Sequence, residues 1–303
     1  MEILQYTPDK LKSVTNFYNR LIKNVPYCYP VSLGQFEHVL QDIIDSPEVC
    51  KDDELIEETV YIVNNKGTVE AYIHIGIESD DDKEYGGIIR FFGYRRGSRE
   101  AGLSILKKAE ESMRKYNVTR IYAFSKNYKY PFYHYRYAHL SNSLDHIEAL
   151  LGLNGYKRVN GQVFLNWENF QVKPIKPKIQ MQLKPDWKDG RGLLQNCNIT
   201  AYKDGEEIGQ CWTNSCGEFN DNPTIQDWVY IDWLGVEDEF QGKGLGKYLL
   251  EYTLQELKKV GYKHTTLSTS WDNHLAFLMY TNLGYRVIDW TYGYEKTFND
   301  KSS

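Results

Sequence analysis

Six consecutive residues, Gln241-Gly242-Lys243-Gly244-Leu245-Gly246, have the composition of an anion-binding turn. Alternating glycines let backbone approach a ligand without interference from a Cβ. Where such a turn leads from a strand into a helix, the first helical N–H groups lack carbonyl partners, and the positive end of the helix dipole points the same way. A phosphate or pyrophosphate suits that arrangement. Lys243 and Lys247 either add charge to it or lie solvated on the helix. The run lacks the Gly-Lys-Ser/Thr ending of a Walker loop, and it does not open an early strand–helix–strand unit as a dinucleotide fingerprint would. Alone, it also fits a plain strand-to-helix turn.

The elements that would present this turn follow from periodicity. Residues 193–202 and 207–216 read as two strands around Lys203-Asp204-Gly205, a hairpin signal. Residues 228–236 are rich in strand formers. Residues 245–260 place Leu245, Leu249, Leu250, Leu254 and Leu257 on one face of a helix that Gly261 ends. Strands at 263–270 and 285–294, with a helix at 273–283 stopped by Gly284, give the order β-β-β-α-β-α-β. Crossover helices in such an order imply a mixed sheet.

The first half repeats this order. A hairpin, 59–64 and 68–77, turns at Asn65-Lys66-Gly67; strands follow at 88–92, 119–125 and 156–165, with helices at 101–116 and 144–151. Gly102 matches Gly246, and Gly155-Tyr156 matches Gly284-Tyr285. Two helices, 7–24 and 33–46, precede the first hairpin and have no counterpart before the second. The first half also carries an insertion at 126–141, dense in aromatics such as Tyr130, Tyr133 and Tyr135. Residues 171–184, with Pro174, Pro177 and a run of lysines, read as a connector.

Two segments carry a family resemblance. The stretch Leu234-Gly235-Val236-Glu237-Asp238-Glu239-Phe240-Gln241-Gly242-Lys243-Gly244-Leu245-Gly246-Lys247 resembles the signature motif of the GNAT superfamily of acyl-CoA N-acyltransferases: valine, four residues, glutamine or arginine, then Gly-x-Gly-x-Gly. The stretch from Asn273 through Ala276 and Tyr280 to Gly284-Tyr285 is similar to that family's second motif. The resemblance covers residues 193–294 well and the first half as an eroded copy. It implies an α/β (α+β) fold of two tandem GNAT-like domains, each a mixed, mostly antiparallel sheet flanked by helices. Residues 1–170 would be a degenerate, non-catalytic copy and 171–303 the acyl-CoA-binding catalytic domain.

The resemblance further implies acetyl-CoA as cosubstrate, no metal, and direct attack of a primary amine on the thioester without a covalent enzyme intermediate. Gln241, Gly242, Lys243, Gly244, Leu245, Gly246 and Lys247 would hold the pyrophosphate. Backbone around Leu234 and Val236 would pair with the pantetheine arm, and an amide near Val236 would polarise the thioester carbonyl. Asn273 would bond the arm, and Tyr280 would protonate the leaving thiolate.

The residues leave other roles open. Asn273 equally fits a helix cap, and Tyr280 sits at core spacing with Ala276, Phe277 and Leu283. Asp232, by alternation, shares a sheet face with Leu234 and Val236 and is the candidate general base, unless it is an edge charge. Tyr230, Glu239 and His274 are further candidates. In the first half Gly97, Ser98, Arg99, Glu100 and Gly102 align with Gln241, Gly242, Lys243, Gly244 and Gly246, while Leu144 and Leu151 align with Asn273 and Tyr280. A carboxylate at Glu100 would oppose a pyrophosphate, so the first domain is expected not to bind CoA; Arg95, Arg96 and Arg99 leave room for another anion. The aromatic insertion either walls the acceptor site or packs an interface.

Composition narrows the partners. A formal net charge of −5 over 303 residues argues against a nucleic-acid protein. No apolar run reaches the length of a membrane span, and the first residues carry no secretory pattern, so a cytoplasmic location is expected. The five cysteines, Cys28, Cys50, Cys197, Cys211 and Cys216, form no metal-like spacing. Cys211 and Cys216 are either a redox pair or ordinary buried thiols. The expected acceptor is a small-molecule amine, with a protein amine, or a sensor that holds CoA without turnover, as alternatives. A monomer or homodimer is expected.

Overall fold

The structure, a computed structural model, describes residues 1–41, 55–79 and 85–298. Its elements are β1 (Glu2–Gln5), α1 (Leu11–Leu21), α2 (Leu33–Gln41), β2 (Leu55–Asn65), β3 (Thr68–Ser79), β4 (Tyr85–Tyr94), α3 (Arg99–Met113), β5 (Arg120–Ala123), β6 (Leu140–Ser141), α4 (Asp145–Leu153) and β7 (Lys157–Trp167). There follow β8 (Gln182–Lys188), β9 (Asn196–Lys203), β10 (Glu206–Ser215), β11 (Trp228–Val236), α5 (Leu245–Val260), β12 (His264–Ser270), α6 (His274–Leu283) and β13 (Arg286–Thr297). The part of the helix expected at 33–46 that lies beyond residue 41, and Cys50, fall outside the described residues.

The chain divides into two compact units: unit 1 is Met1–Gln162 with Asp289–Ser303, and unit 2 is Val163–Ile288. The sequence alone points to a single division at 170/171. In unit 1 the strands run β1-β2-β3-β4-β5-β13, all antiparallel neighbours except the parallel pair β4 and β5. In unit 2 they run β7-β12-β11-β10-β9-β8, with β11 and β12 as a parallel pair and antiparallel pairing from β11 outward to β8. Each unit is thus a mixed, mostly antiparallel sheet flanked by helices.

Each half of the chain gives part of its last strand to the other unit. Val163–Trp167 of β7 belongs to unit 2. Asp289–Thr297 of β13 belongs to unit 1, where Tyr294 pairs with Ala123 and Thr291 with Ser141.

Local sequence explains most element boundaries. Lys66-Gly67 and Asp204-Gly205 all take positive φ, the two-residue turn whose twist suits a tight hairpin. The five leucines foreseen on one face of α5 are all buried, each worth roughly 1.5–3 kcal/mol of apolar burial. Gly261 then ends α5, with the Tyr262 N–H donating to the Leu257 carbonyl.

One segment departs from expectation. The connector read at 171–184 runs into a strand: β8 pairs with β9 through Leu183 and Ala201 and through Trp187 and Cys197. Pro185 within it has no N–H to donate, which an edge strand tolerates, and β8 is the edge of its sheet. Cys28, Cys197, Cys211 and Cys216 are buried and unlinked. Burial pushes the Cys211 thiol up to about 12, so it stays protonated. Among the described residues no helix is long and apolar enough to cross a membrane.

Candidate active site

The glycine turn leads directly into α5. Gly242 and Gly244 take φ of +69° and +83°, and a Cβ on either would meet nothing within 4 Å. Backbone conformation, then, is what demands glycine there, and the face of the turn is open. Gly244 is the N-cap of α5 and offers no side chain to its first N–H groups, so these donors and the helix dipole are left for an anion.

Neighbouring side chains brace the turn. Gln241 Nε2 donates to the Val236 carbonyl at 3.0 Å and to Asp238 Oδ1 at 2.8 Å. Lys243 folds back, donating to the Glu239 carbonyl at 2.6 Å with its ammonium 5.4 Å from the Phe240 ring centre. Lys247 is exposed, and Leu245 is buried beneath the turn. Gln241 and Lys243 therefore shape the loop with their side chains.

The strand before the turn is broken in register. Trp212 pairs with Trp233 and Thr213 with Ile231, so Asp232 is the extra residue of a bulge in β11. The parallel pairing of β11 with β12 ends at the same place, with Ile231 and Leu267, although both strands continue. Past that point the two strands are no longer paired. Among the described residues the edge of β11 that faced β12, including Leu234 and Val236, has no strand partner there, which leaves a wedge that an extended arm can enter by strand-like pairing.

The bulge also revises the expected facing of Asp232. Leu234 pairs with buried Cys211 on the α5 side, and so does Ile231 with Thr213. Asp232 and Trp233 together fill the break in alternation between them, so simple alternation no longer assigns Asp232 to the face of Leu234 and Val236. Among the further candidates, Tyr230 is buried with its hydroxyl 2.8 Å from Ser268 Oγ. Glu239 and His274 are exposed.

Tyr280 projects from α6 and is 7% exposed, its ring edge-on to Tyr285 at 5.7 Å. Its hydroxyl makes no hydrogen bond among the described residues. Burial, and secondarily Cys211 nearby, pushes its pKa well above the ordinary phenol value of 10.0, which keeps it a proton donor. Asn273 caps α6, Oδ1 accepting from the Ala276 N–H at 3.2 Å. That leaves its amide nitrogen to donate elsewhere. Turn, wedge and phenol all lie within unit 2.

Unit 1 has the same frame with different contents. His74 pairs with Phe91 and Ile75 with Ile89, making Arg90 the bulge residue, and the parallel pairing of β4 with β5 ends at Ile89 and Ala123. Here 21 residues, 124–144, separate β5 from α4, against three, 271–273, between β12 and α6. The insertion fills the opening. Arg90 Nε donates to the Tyr128 carbonyl at 2.9 Å, and Tyr130 stacks on Phe91 at 5.5 Å. Tyr130 and Tyr133 belong to the core of unit 1 itself.

The loop of unit 1 is shortened as well as substituted. Four residues, 95–98, join β4 to α3, against eight, 237–244, between β11 and α5. Ser98 is already the N-cap, and Glu100 lies in the first helical turn. The nearly buried Glu70 accepts from Ser98 Oγ and stands 3.6 Å from Arg95. Leu144 and Leu151 hold the places of Asn273 and Tyr280 as expected, Leu144 as the residue capping α4.

Residues 162–285 match the model of the Acetyltransferase (GNAT) family. A mycothiol acetyltransferase of Propionibacterium freudenreichii is 29% identical over 113 residues, 37% of this chain and 33% of that protein. One of Kytococcus sedentarius is 30% identical over 138 residues, 45% of this chain and 43% of that protein. The chain therefore spans less than half the length of either relative. A solved tandem GNAT protein from the clavulanic acid biosynthesis pathway superposes with a TM-score of 0.65 at 14% identity, covering 98% of both chains. Residues 162–285 are accordingly a GNAT-family acetyltransferase domain, carried in a chain with the fold of a tandem GNAT protein.

Proposed function

We propose that unit 2 is an acetyl-CoA-dependent N-acetyltransferase acting on a small-molecule primary amine, and that unit 1 does not bind CoA. The observation that carries this reading is the wedge opening between β11 and β12 at Asp232, continuous along β11 with the glycine turn. Backbone donors of residues 241–246 and the start of α5 suit the pyrophosphate, and the unpaired edge of β11 suits the pantetheine arm. The side-chain amide of Asn273 adds a donor beside α6.

The amine nitrogen forms its bond to the acyl carbon while the carbon–sulfur bond breaks. Tyr280 gives its proton to the leaving sulfur, and Asp232 takes the proton that the attacking nitrogen loses. In unit 1 the equivalent opening is filled by residues of the insertion and the loop is closed by Ser98 and Glu70. The relatives named mycothiol acetyltransferase support a small-molecule acceptor, and a cytoplasmic location fits the use of acetyl-CoA.

Thiol release from acetyl-CoA in the presence of a panel of amines, with calorimetric titration of CoA alongside, tests this. Turnover by wild type, with Tyr280→Phe losing turnover but keeping CoA affinity, supports the reading. CoA binding without turnover on any amine would make the protein a sensor, and no CoA binding would remove the reading altogether.

A further inference from the structure

Trp212 and Trp233 pair directly across β10 and β11 at the bulge, and they are 41% and 52% exposed. The next pair along, Cys211 and Leu234, lies on the α5 side, so the indoles occupy the opposite face of the sheet. Exposing two tryptophans forgoes the largest apolar burial any side chain offers. Trp233 is also shaped for contact. A Cβ on Gly235 would sit 2.7 Å from Trp233 Nε1 and 3.2 Å from its Cε2, so only a glycine lets the indole lie flat along the strand.

Unit 1 shows what this position holds when the chain fills it. The counterparts of Trp212 and Trp233 are His74 and Phe91, paired at the equivalent bulge and buried. Tyr130 lies on Phe91 with ring centres 5.5 Å apart and planes at 14°, its hydroxyl 2.9 Å from His74 Nδ1. The bulge residue Arg90 stands 5.6 Å from the same ring. A ring is therefore stacked on the bulge aromatic with its polar end at the bulge. Unit 2 has neither the insertion nor helices matching α1 and α2, its only helices of that length being α5 and α6. Among the described residues no ring stacks on Trp212 or Trp233, so in unit 2 the place is open to the ring of a ligand.

We propose that Trp212 and Trp233 form the acceptor platform, and that the acceptor is a primary amine carried on a flat-faced ring. Its ring, aryl or sugar, stacks on the indoles with the nitrogen directed to Asp232. This rests on reading unit 2 as an acetyltransferase. The indole faces favour both the flat ring and the ammonium form that arrives before the proton is lost.

The test is steady-state kinetics of the full chain at saturating acetyl-CoA, comparing 2-phenylethylamine and glucosamine with n-butylamine. Wild type is expected to prefer one ring amine over butylamine by at least about 10-fold in kcat/KM, and which ring is preferred tells aryl from sugar. Trp233→Ala should raise the KM of that ring amine about 10- to 50-fold and erase the preference, with the KM for acetyl-CoA unchanged. Trp233→Phe, the variant least disturbing to the fold, should retain most of the preference. Equal use of all three amines by wild type, or an unchanged preference in Trp233→Ala, overturns the platform while leaving acetyl transfer standing. If no amine turns over, calorimetry decides: ring-amine binding lost in Trp233→Ala upholds the platform without the transferase, and no binding refutes both.

Discussion

Arg90 and Asp232 hold the same place in their two units: each is the extra residue of a bulge at the point where a parallel strand pair ends. One is a cation tied into a buried network, the other a carboxylate at the mouth of an opening. Arg90 bonds both oxygens of Glu58, at 3.0 and 3.1 Å, and Glu58 also meets His74 Nε2 at 3.0 Å. Burial pushes the pKa of His74 down, so its ring is neutral, with Nε2–H donating to Glu58 and Nδ1 accepting from Tyr130.

That network is expected to stabilise unit 1 only as a whole. Arg90→Met would leave the Glu58 carboxylate buried without its cation, a loss of about 3–5 kcal/mol. Urea unfolding checks this, and Arg90→Met combined with Glu58→Gln should recover part of the loss. A single variant as stable as wild type would show the pair to be neutral.

At the turn, Gly244→Glu places a carboxylate on the face meant for an anion. CoA affinity should fall by more than about 100-fold, since charge repulsion adds to lost access. The fold should survive, because a side chain there meets no neighbour and the positive φ costs only about 1–2 kcal/mol. Calorimetry for CoA and a melting curve separate the two effects.

Tyr280→Phe removes the proton donor while keeping the packing against Tyr285. A drop in kcat of about 10²- to 10³-fold is expected, with CoA affinity within about twofold. Because burial raises this phenol above its ordinary 10.0, it stays protonated at and below pH 10. A kcat profile for wild type should accordingly show no alkaline limb from this group below pH 10.

Acid should loosen unit 1. His139 is buried with Nδ1 donating to the Phe124 carbonyl at 2.8 Å, and burial pushes its pKa from 6.5 down to about 4. The unfolded chain takes up a proton near 6.5 while the folded chain resists until about 4, so stability present above 6.5 is lost as pH falls through that window. The loss from this group reaches about 3 kcal/mol. His74 and His134, shifted downward by burial too, act in the same direction. Urea midpoints at pH 7, 5.5 and 4.5 should fall steadily, and His139→Gln should flatten the slope.

Much of this fold is legible from residues that dictate their own surroundings. Asp204-Gly205 admits little but a tight hairpin, and the leucine spacing of 245–257 admits little but an amphipathic helix. Strand β8 hid because Pro185 and flanking lysines suit a linker as well as an edge strand. Asp232 was legible as a candidate by type, but its bulge was not, since a register break is set by pairing with β10. Trp212 and Trp233 are silent in the sequence for a related reason: alternation suggests strands, and only the missing cover reveals an exposed face. The exchange of last strands left no trace either, because 156–165 and 285–294 read the same whichever sheet they join.

That exchange bears on how the protein is made. Residues 289–297 complete the sheet of unit 1 beside β5, yet they are synthesised after the whole of unit 2. On the ribosome, the N-terminal unit lacks this neighbour for β5 until residues 289–297 have been translated. A gene cut at codon 170 would therefore deliver two fragments, each lacking a strand that the other carries, and coexpression should restore what neither half achieves alone.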